Sequence, residues 1–213
     1  RYVMIDDPAF DPIFTYLEKN KIPVMGHLGE PKDCWLPENE MIDPGALGYF
    51  KKNPQYYMYL HPDAPSYEEQ INSRDNVLKK YPKIEFIGAH LASLEWSFDE
   101  LGKRLDSYPN LKIDMAARMY PIQYQSNIDR EKVRNFMIKY QDRILYGTDY
   151  EVHDAPGLNA DDSMANLRKG WLLQWIYMAT DSTVGFKGLK LPKDVINKIY
   201  FKNAEKYFPV KLK

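Results

Sequence analysis

Short apolar runs alternate with longer segments of helical periodicity along the chain. Apolar residues recur at helical spacing in residues 8–20 and 129–140, whereas residues 84–90 and 143–148 are mainly apolar. This alternation is typical of βαβ units, in which buried parallel strands are connected by amphipathic helices. We therefore predict an α/β fold built on a parallel sheet.

The predicted elements follow one another in a regular order. Strands are predicted at residues 21–27, 84–90, 111–115 and 143–148, with a strand remnant at 1–5. Helices are predicted at residues 8–20, 45–53, 66–81, 94–107, 129–140, 163–180 and 193–200, with a last turn at 203–208. The connection from residue 29 to residue 65 has no long regular element, and connections of that length usually carry function.

The spacing of these units favours a barrel. His90 and Asp149 are separated by about two units of roughly 31 residues each, the unit length of a (β/α)8 barrel. An open doubly wound sheet is the alternative, although no Gly-rich phosphate loop follows any of the predicted strands.

Composition and charge exclude several classes of protein. The 213 residues include 29 basic and 30 acidic side chains in a mixed distribution, for a net charge of −1. Neither nucleic acid nor an anionic membrane is therefore an expected partner, and no apolar run approaches the ~20 residues that span a bilayer. The single cysteine, Cys34, excludes a disulfide framework within the chain. The chain opens without Met or a signal peptide, so we expect a part of a longer protein and no indication of its compartment.

Three polar residues follow predicted strands directly. His27, His90 and Asp149 each stand at the carboxyl end of an apolar run. In a barrel these ends converge on one mouth. Two imidazoles and a carboxylate are typical ligands of Zn²⁺ and similar divalent ions. We therefore predict one site from these three residues, although each histidine taken alone is more typical of an ordinary hydrogen-bonded strand end.

Several segments resemble, in order, the amidohydrolase-related family of TIM-barrel metal-dependent enzymes, which includes aminocarboxymuconate-semialdehyde decarboxylase and resorcylate decarboxylases. The similar segments are Ile22-Pro23-Val24 ending at His27, Ile87-Gly88-Ala89-His90-Leu91, Tyr108-Pro109-Asn110-Leu111 and Leu145-Tyr146-Gly147-Thr148-Asp149. The resemblance implies a partial (β/α)8 TIM barrel. Residues 1–213 would be the C-terminal portion of one domain, lacking roughly the first three to four strands.

The resemblance also implies roles for the three residues. His27 would be a metal ligand, Asp149 a metal ligand that also handles a proton, and His90 a general acid/base or substrate-polarising group. The implied cofactor is a divalent metal, Zn or alternatively Mn. The family's His-x-His or Glu-x-His pair is absent from the chain, so we expect weak metal occupancy or none in the chain by itself.

Further side chains are candidates for substrate binding. Arg118 follows a predicted strand and could hold a carboxylate in a bidentate manner, with a structural salt bridge as the alternative. Glu30 could face the site or be solvated. The remaining candidates lie on loops, where packing or an ordinary loop role is the alternative: Trp35, His61, His153 and Tyr150.

Three functions remain open at this point. The first is a hydrolase that acts on a small ester, lactone or amide through metal-activated water. The second is a lyase, a non-oxidative decarboxylase in which Arg118 orients a carboxylated substrate. The third is a catalytically incomplete fragment that depends on assembly. The expected partners are a small-molecule substrate and further copies of the chain, because a half-barrel exposes two strand edges.

Overall fold

The computed structural model describes residues 2–150 and 160–208. Its sheet has the strands β1 (Val24–Gly26), β2 (Phe86–Gly88), β3 (Leu111–Asp114) and β4 (Ile144–Leu145). The strands are parallel and pair in the sequential order β1-β2-β3-β4. A sequential order without a reversal is the order within a (β/α)8 barrel rather than that of a doubly wound sheet. The predicted partial barrel is therefore confirmed.

Helices connect and cover the strands. They are α1 (Asp11–Lys19), α2 (Pro44–Lys52), α3 (Tyr67–Lys80), the single turn α4 (Ala89–Ala92), α5 (Phe98–Ser107), α6 (Met119–Ile128), α7 (Arg130–Lys139), α8 (Ala160–Ala179), α9 (Lys193–Asn197) and α10 (Asn203–Tyr207). Short 3₁₀ segments lie at Pro8–Phe10, Lys32–Trp35, Glu38–Glu40, Pro54–Tyr56 and Met58–Leu60, and a π-helical segment lies at Lys198–Lys202.

The two faces of the sheet have different neighbours. Alternate side chains such as Phe86, Ile113 and Ile144 belong to the main core, which includes residues of the surrounding helices. Ile87 and Leu145, on the opposite face, pack with Tyr207 of α10. This follows from the two-residue alternation of side chains along a strand.

Local capping interactions fix the starts of two helical segments. Ser66 and Glu69 form a capping box at the start of α3, each side chain accepting a hydrogen bond from the other residue's backbone N–H. The Asp7 side chain accepts a hydrogen bond from the N–H of Ala9 at 2.9 Å, where Pro8 begins the first helical turn.

Several predicted boundaries were wrong. Residues 2–5 form no strand, and all four strands are shorter than predicted. The helix predicted at 94–107 begins only at Phe98, because the Ser97 hydroxyl caps it by accepting from the N–H of Glu100. The helix predicted at 193–200 ends at Asn197 and continues as the π-helical segment. Helix α6 was not predicted.

Strands β1 and β4 are the outer strands of the described sheet. Met25 in β1 is 53% exposed, whereas its register partner Ile87 in β2 is fully buried. An exposed edge strand favours pairing with a strand from another copy of the chain. The homo-oligomer that the sequence predicts on this ground stays a prediction.

Candidate active site

Three side chains meet at the carboxyl edge of the sheet. His27 directly follows β1, His90 lies two residues beyond β2, and Asp149 follows β4. The His27 and His90 rings contact edge to face, with centroids 4.8 Å apart. His90 Nε2 lies 3.8 Å from Asp149 Oδ2. The structure therefore brings together the three residues that the sequence predicted to converge.

The backbone around His90 is unusual. From His90 through Ser93, four successive non-glycine residues have φ between 54° and 59°, a left-handed conformation that costs roughly 1–2 kcal/mol per residue. The buried Arg74 guanidinium donates a hydrogen bond to the carbonyl of Ala92, and the Ser93 hydroxyl donates one to the carbonyl of Gly29. Such strain is held only where surrounding contacts determine the conformation, and it turns the His90 ring toward the carboxyl edge.

The imidazole of His90 has a defined hydrogen-bonding state. Its Nδ1 lies 3.0 Å from the carbonyl oxygen of Ala116. A carbonyl oxygen only accepts hydrogen bonds, so Nδ1 must carry the proton. In the neutral ring Nε2 then has a free lone pair on the side of Asp149. His90 can therefore accept a proton at Nε2.

Burial lowers the pKa of His90 below its usual range, and the charges of Arg118 and His27 lower it further, while Asp114 and Asp149 oppose the shift. A histidine with a lowered pKa stays neutral at neutral pH. This is the state that a general base requires.

The three residues line one cleft of about 550 Å³. Its other lining residues come from the connection after β1, from the loop after β2, and from the loop after β3 together with the start of α6. Tyr49, Phe50 and Tyr56 form an aromatic wall, with Tyr49 and Tyr56 stacked 6.1 Å apart. A cleft of this size accommodates a small molecule.

Acidic side chains predominate in the cleft. Those among the described lining residues are Glu30, Asp33, Asp43, Glu95 and Asp149, against the single guanidinium of Arg118. Acidic side chains therefore outnumber basic ones in the lining, which disfavours free carboxylates there, although burial raises the pKa of Glu95 and favours its neutral form.

Glu30 and Arg118 both border the cleft. Glu30 Oε2 is 3.7 Å from His27 Nε2, with both side chains partly exposed. Arg118 Nη1 donates to the carbonyl of Ala117 at 3.0 Å, and its Nε is buried with no hydrogen-bond partner among the described residues. Both residues line the cleft, so both can reach a bound molecule.

Trp35, His61 and Tyr150 are not among the residues that line the cleft. Trp35 packs edge to face on Tyr67, His61 Nε2 lies 3.0 Å from the carbonyl oxygen of Pro54, and Tyr150 packs on Trp171. Their role in substrate binding stays a prediction. His153 lies outside the described residues.

Sequence reasoning missed two buried acids of the cleft. Asp33 accepts hydrogen bonds from the N–H groups of Ile42 and Asp43, so it folds the connection that carries Tyr49. Glu95 accepts a hydrogen bond from the N–H of Lys32 at 2.9 Å. The only sequence signal for Glu95 is a charge within the largely apolar stretch after β2.

Cys34 also lines the cleft and is almost fully buried. Burial, and then the charge of Glu30, raise the pKa of its thiol. The thiol stays protonated at neutral pH and is therefore a poor nucleophile.

The donor atoms partly fit a divalent metal. Imidazole nitrogen and carboxylate oxygen at this edge are suitable ligand types. However, no group of three or more His, Cys, Asp or Glu side chains among the described residues has an arrangement that could hold a metal ion. Within that part of the chain, His27 and Asp149 supply ligands of the right kind but too few of them.

A scan against protein-family models matches Amidohydrolase over residues 4–210. The chain belongs to the amidohydrolase family. The match includes all four strands and the three residues that converge, so the family predicted from the sequence is confirmed.

Among solved structures, this amidohydrolase-family chain is similar to an uncharacterized TIM-barrel protein from Bordetella bronchiseptica. The two share 20% sequence identity with a TM-score of 0.54, over 97% of this chain and 52% of that one. The likeness shows the fold alone, and the chain spans about half the length of the protein it matches. None of the curated proteins matches the chain.

No helix within residues 2–150 and 160–208 is both long enough and apolar enough to cross a membrane.

Proposed function

We propose that the chain carries part of the active site of a metal-dependent hydrolase that acts on a small neutral ester, lactone or amide. The observation that carries this proposal is the convergence of His27, His90 and Asp149 in one cleft. Family membership supports hydrolase-type or decarboxylase-type chemistry in general.

The excess of acidic side chains in the lining favours the hydrolase over the decarboxylase. A decarboxylase substrate carries a carboxylate, which would lie among the cleft's acidic side chains with Arg118 as its one guanidinium partner in the described lining. A neutral ester, lactone or amide avoids that repulsion. Decarboxylation remains the second candidate because Arg118 could pair with a substrate carboxylate.

His27 and Asp149 would be ligands of the divalent ion, with zinc as the first candidate and manganese as the alternative. When bound, such an ion supplies Lewis-acid activation of water and of the scissile carbonyl. The further ligands would come from outside the described residues.

His90 would move the proton. Its Nε2 accepts a proton from the attacking water as the water oxygen bonds to the carbonyl carbon. The same proton then passes to the leaving oxygen or nitrogen as its bond to carbon breaks. Atoms balance as one substrate plus one water giving an acid and an alcohol or amine.

The test is a substrate panel run on the metal-depleted protein and after addition of zinc or manganese. The panel contains p-nitrophenyl acetate, δ-valerolactone, an anilide and hydroxybenzoates, with acid release and carbon dioxide both measured. We expect metal-dependent acid release that His90→Asn slows by a factor of about 10² to 10⁴. Carbon dioxide from the benzoates would establish the lyase instead, and no turnover with either metal would support an incomplete fragment.

A further inference from the structure

The ammonium of Lys32 lies on the face of an aromatic ring beside the cleft. Its Nζ is 3.7 Å from the ring centroid of Trp96 and 5.5 Å from that of Tyr67. The quadrupole of an aromatic ring attracts a cation over its face at distances up to about 6 Å. Lys32 is therefore held by rings from two other segments, the loop between α4 and α5 and the start of α3.

The two rings are themselves fixed in place. Tyr67 is 4% exposed, and its hydroxyl accepts a hydrogen bond from Nε1 of Trp96 at 2.7 Å. The same hydroxyl donates to the carbonyl of Ser93, the last residue of the left-handed turn that begins at His90. The rings under Lys32 are therefore joined to the turn that carries the proposed base.

The main chain of Lys32 is held at the same place. Its N–H donates to Oε1 of Glu95, the residue before Trp96. Trp35, at the other end of the same 3₁₀ segment, packs edge to face on Tyr67 with ring centroids 5.5 Å apart. Both ends of this segment are therefore attached to the loop after β2 and to α3.

The residues on either side of Lys32 border the cleft, whereas Lys32 is not among the lining residues. Glu30 and Pro31 precede it in the lining, and Asp33 and Cys34 follow it. Lys32 thus anchors this wall of the cleft from outside. The Asp33 carboxylate, which folds the rest of the connection after β1, is anchored with it.

We propose that Lys32 is a positioning residue. The Lys32 clamp, formed by its contacts with Trp96 and Tyr67, holds the connection after β1 against the loop after β2 and so fixes the aromatic wall relative to His90. The consequence for catalysis rests on the proposed function. Without the clamp the wall leaves its place in a larger fraction of molecules, which lowers the apparent affinity for substrate. Proton transfer at His90 stays the same once the substrate is bound.

Three substitutions isolate the clamp. Lys32→Met removes the charge and keeps a side chain of similar length, whereas Lys32→Arg keeps a cation that stacks on aromatic faces. Lys52→Met, at an exposed position at the end of α2 in the same connection, matches the change in charge away from the clamp. Each variant retains the N–H of residue 32 that donates to Glu95.

Amide hydrogen exchange measures the clamp without any reaction. The reporters are the N–H groups of Ile42 and Asp43, which donate to the Asp33 carboxylate and are protected while the connection is folded. We expect exchange at both to be about threefold to tenfold faster in Lys32→Met, the size of effect that a cation–π contact gives. Rates in Lys32→Arg and Lys52→Met should stay close to those of the wild type.

Steady-state kinetics on the ester that the wild type hydrolyses fastest measure the consequence. We expect KM to rise by about twofold to tenfold in Lys32→Met with kcat nearly unchanged, because only binding is affected. Lys32→Arg should restore KM, which a merely structural role would not require. Trp96→Leu removes the ring and should raise KM by itself, and Lys32→Met should then add little in that background.

Wild-type exchange rates in Lys32→Met would overturn the clamp, and faster exchange with an unchanged KM would overturn the positioning role. The same changes in Lys52→Met would show a general effect of charge and would also overturn the proposal. If Lys32→Met fails to fold, Trp96→Leu decides in its place. Absence of ester turnover in the wild type would contradict the hydrolase alone, and exchange would still decide the clamp.

Discussion

The backbone N–H of His90 donates a hydrogen bond to Oδ1 of Asp114 at 2.9 Å. The same oxygen accepts from the N–H of Ala116 at 3.0 Å, and both His90 and Asp114 are buried. Asp114 ends β3, whereas His90 follows β2. The position of the proposed base is therefore fixed by a carboxylate on the neighbouring strand.

Replacing Asp114 by alanine should destabilise the protein by about 2–5 kcal/mol, because two buried N–H groups lose their acceptor. Asp114→Asn retains an acceptor oxygen, so its free energy of unfolding should fall much less. Chemical denaturation of the two variants checks this, with kcat as a second readout. An alanine variant as stable as the wild type would contradict the proposed link between the strands.

His90→Asn should lower kcat by a factor of about 10² to 10⁴, the usual contribution of a general acid/base. Asparagine is chosen because it tolerates the left-handed backbone at this position, where φ is 58°. The unfolding midpoint should therefore change little. A variant with near wild-type kcat on the hydrolysed substrate would exclude His90 as the base.

Gly88→Ala should disrupt the turn that carries His90. A Cβ at Gly88 would lie 2.6 Å from the Cβ of Ala92 and 3.0 Å from its Cα, so the backbone must shift. We expect a loss of stability of roughly 1–3 kcal/mol and a larger proportional loss of activity.

Gly48→Ala is the matched control, since nothing lies within 4 Å of a Cβ there and the residue is exposed within α2. This variant should gain up to about 1 kcal/mol from helix propensity. If thermal unfolding shows the same change in stability for Gly88→Ala and Gly48→Ala, the backbone accommodates the added Cβ at Gly88 without loss of stability.

The sequence predicted the sheet and three site residues because their signals are local. Apolar runs mark the strands, and His27, His90 and Asp149 follow them directly in the chain. Helix α6 was missed because it contains Pro121 and buries only Pro121, Ile122 and Ser126, a weak apolar pattern.

Long-range contacts could not be predicted in this way. The role of Glu95 depends on the N–H of Lys32, which is 63 residues away in the chain. The left-handed turn after β2 is likewise held by Arg74 and by the carbonyl of Gly29. Residues 90–93 themselves give no signal of it, since left-handed backbone is typical of glycine.

Lys21→Gly should stabilise the protein by about 0.5–1 kcal/mol. Lys21 has φ 53° just after α1, where the N–H of Ile22 donates to the carbonyl of Leu17 and the N–H of Lys21 donates to that of Glu18. This is the Schellman arrangement, in which glycine removes the cost of a left-handed side-chain residue.

Lys19→Gly, two residues earlier within α1 and also exposed, should instead destabilise the protein because it lies in the helix itself. Denaturation midpoints of the two variants should therefore move in opposite directions. A decrease for both would show that the C-terminus of α1 does not need the left-handed residue.

Asp6 should make stability depend on acid pH. Hydrogen bonds from the side chains of Asn76 and Ser73, at 2.8 and 2.7 Å, hold the pKa of this carboxyl below its ordinary value of 3.8. A carboxyl whose pKa is lower in the folded chain contributes its full stabilisation above the unfolded pKa. That contribution is lost as pH falls through the folded pKa.

The free energy of unfolding of the wild type and of Asp6→Asn should therefore differ most at neutral pH, with the wild type more stable. The difference should narrow as the pH falls below about 4. Asp63→Asn, at an exposed position, controls for the change in net charge and should show no such narrowing. A gap between the wild type and Asp6→Asn that stays constant from neutral to acid pH would show that the carboxylate form of Asp6 is not what the folded chain stabilises.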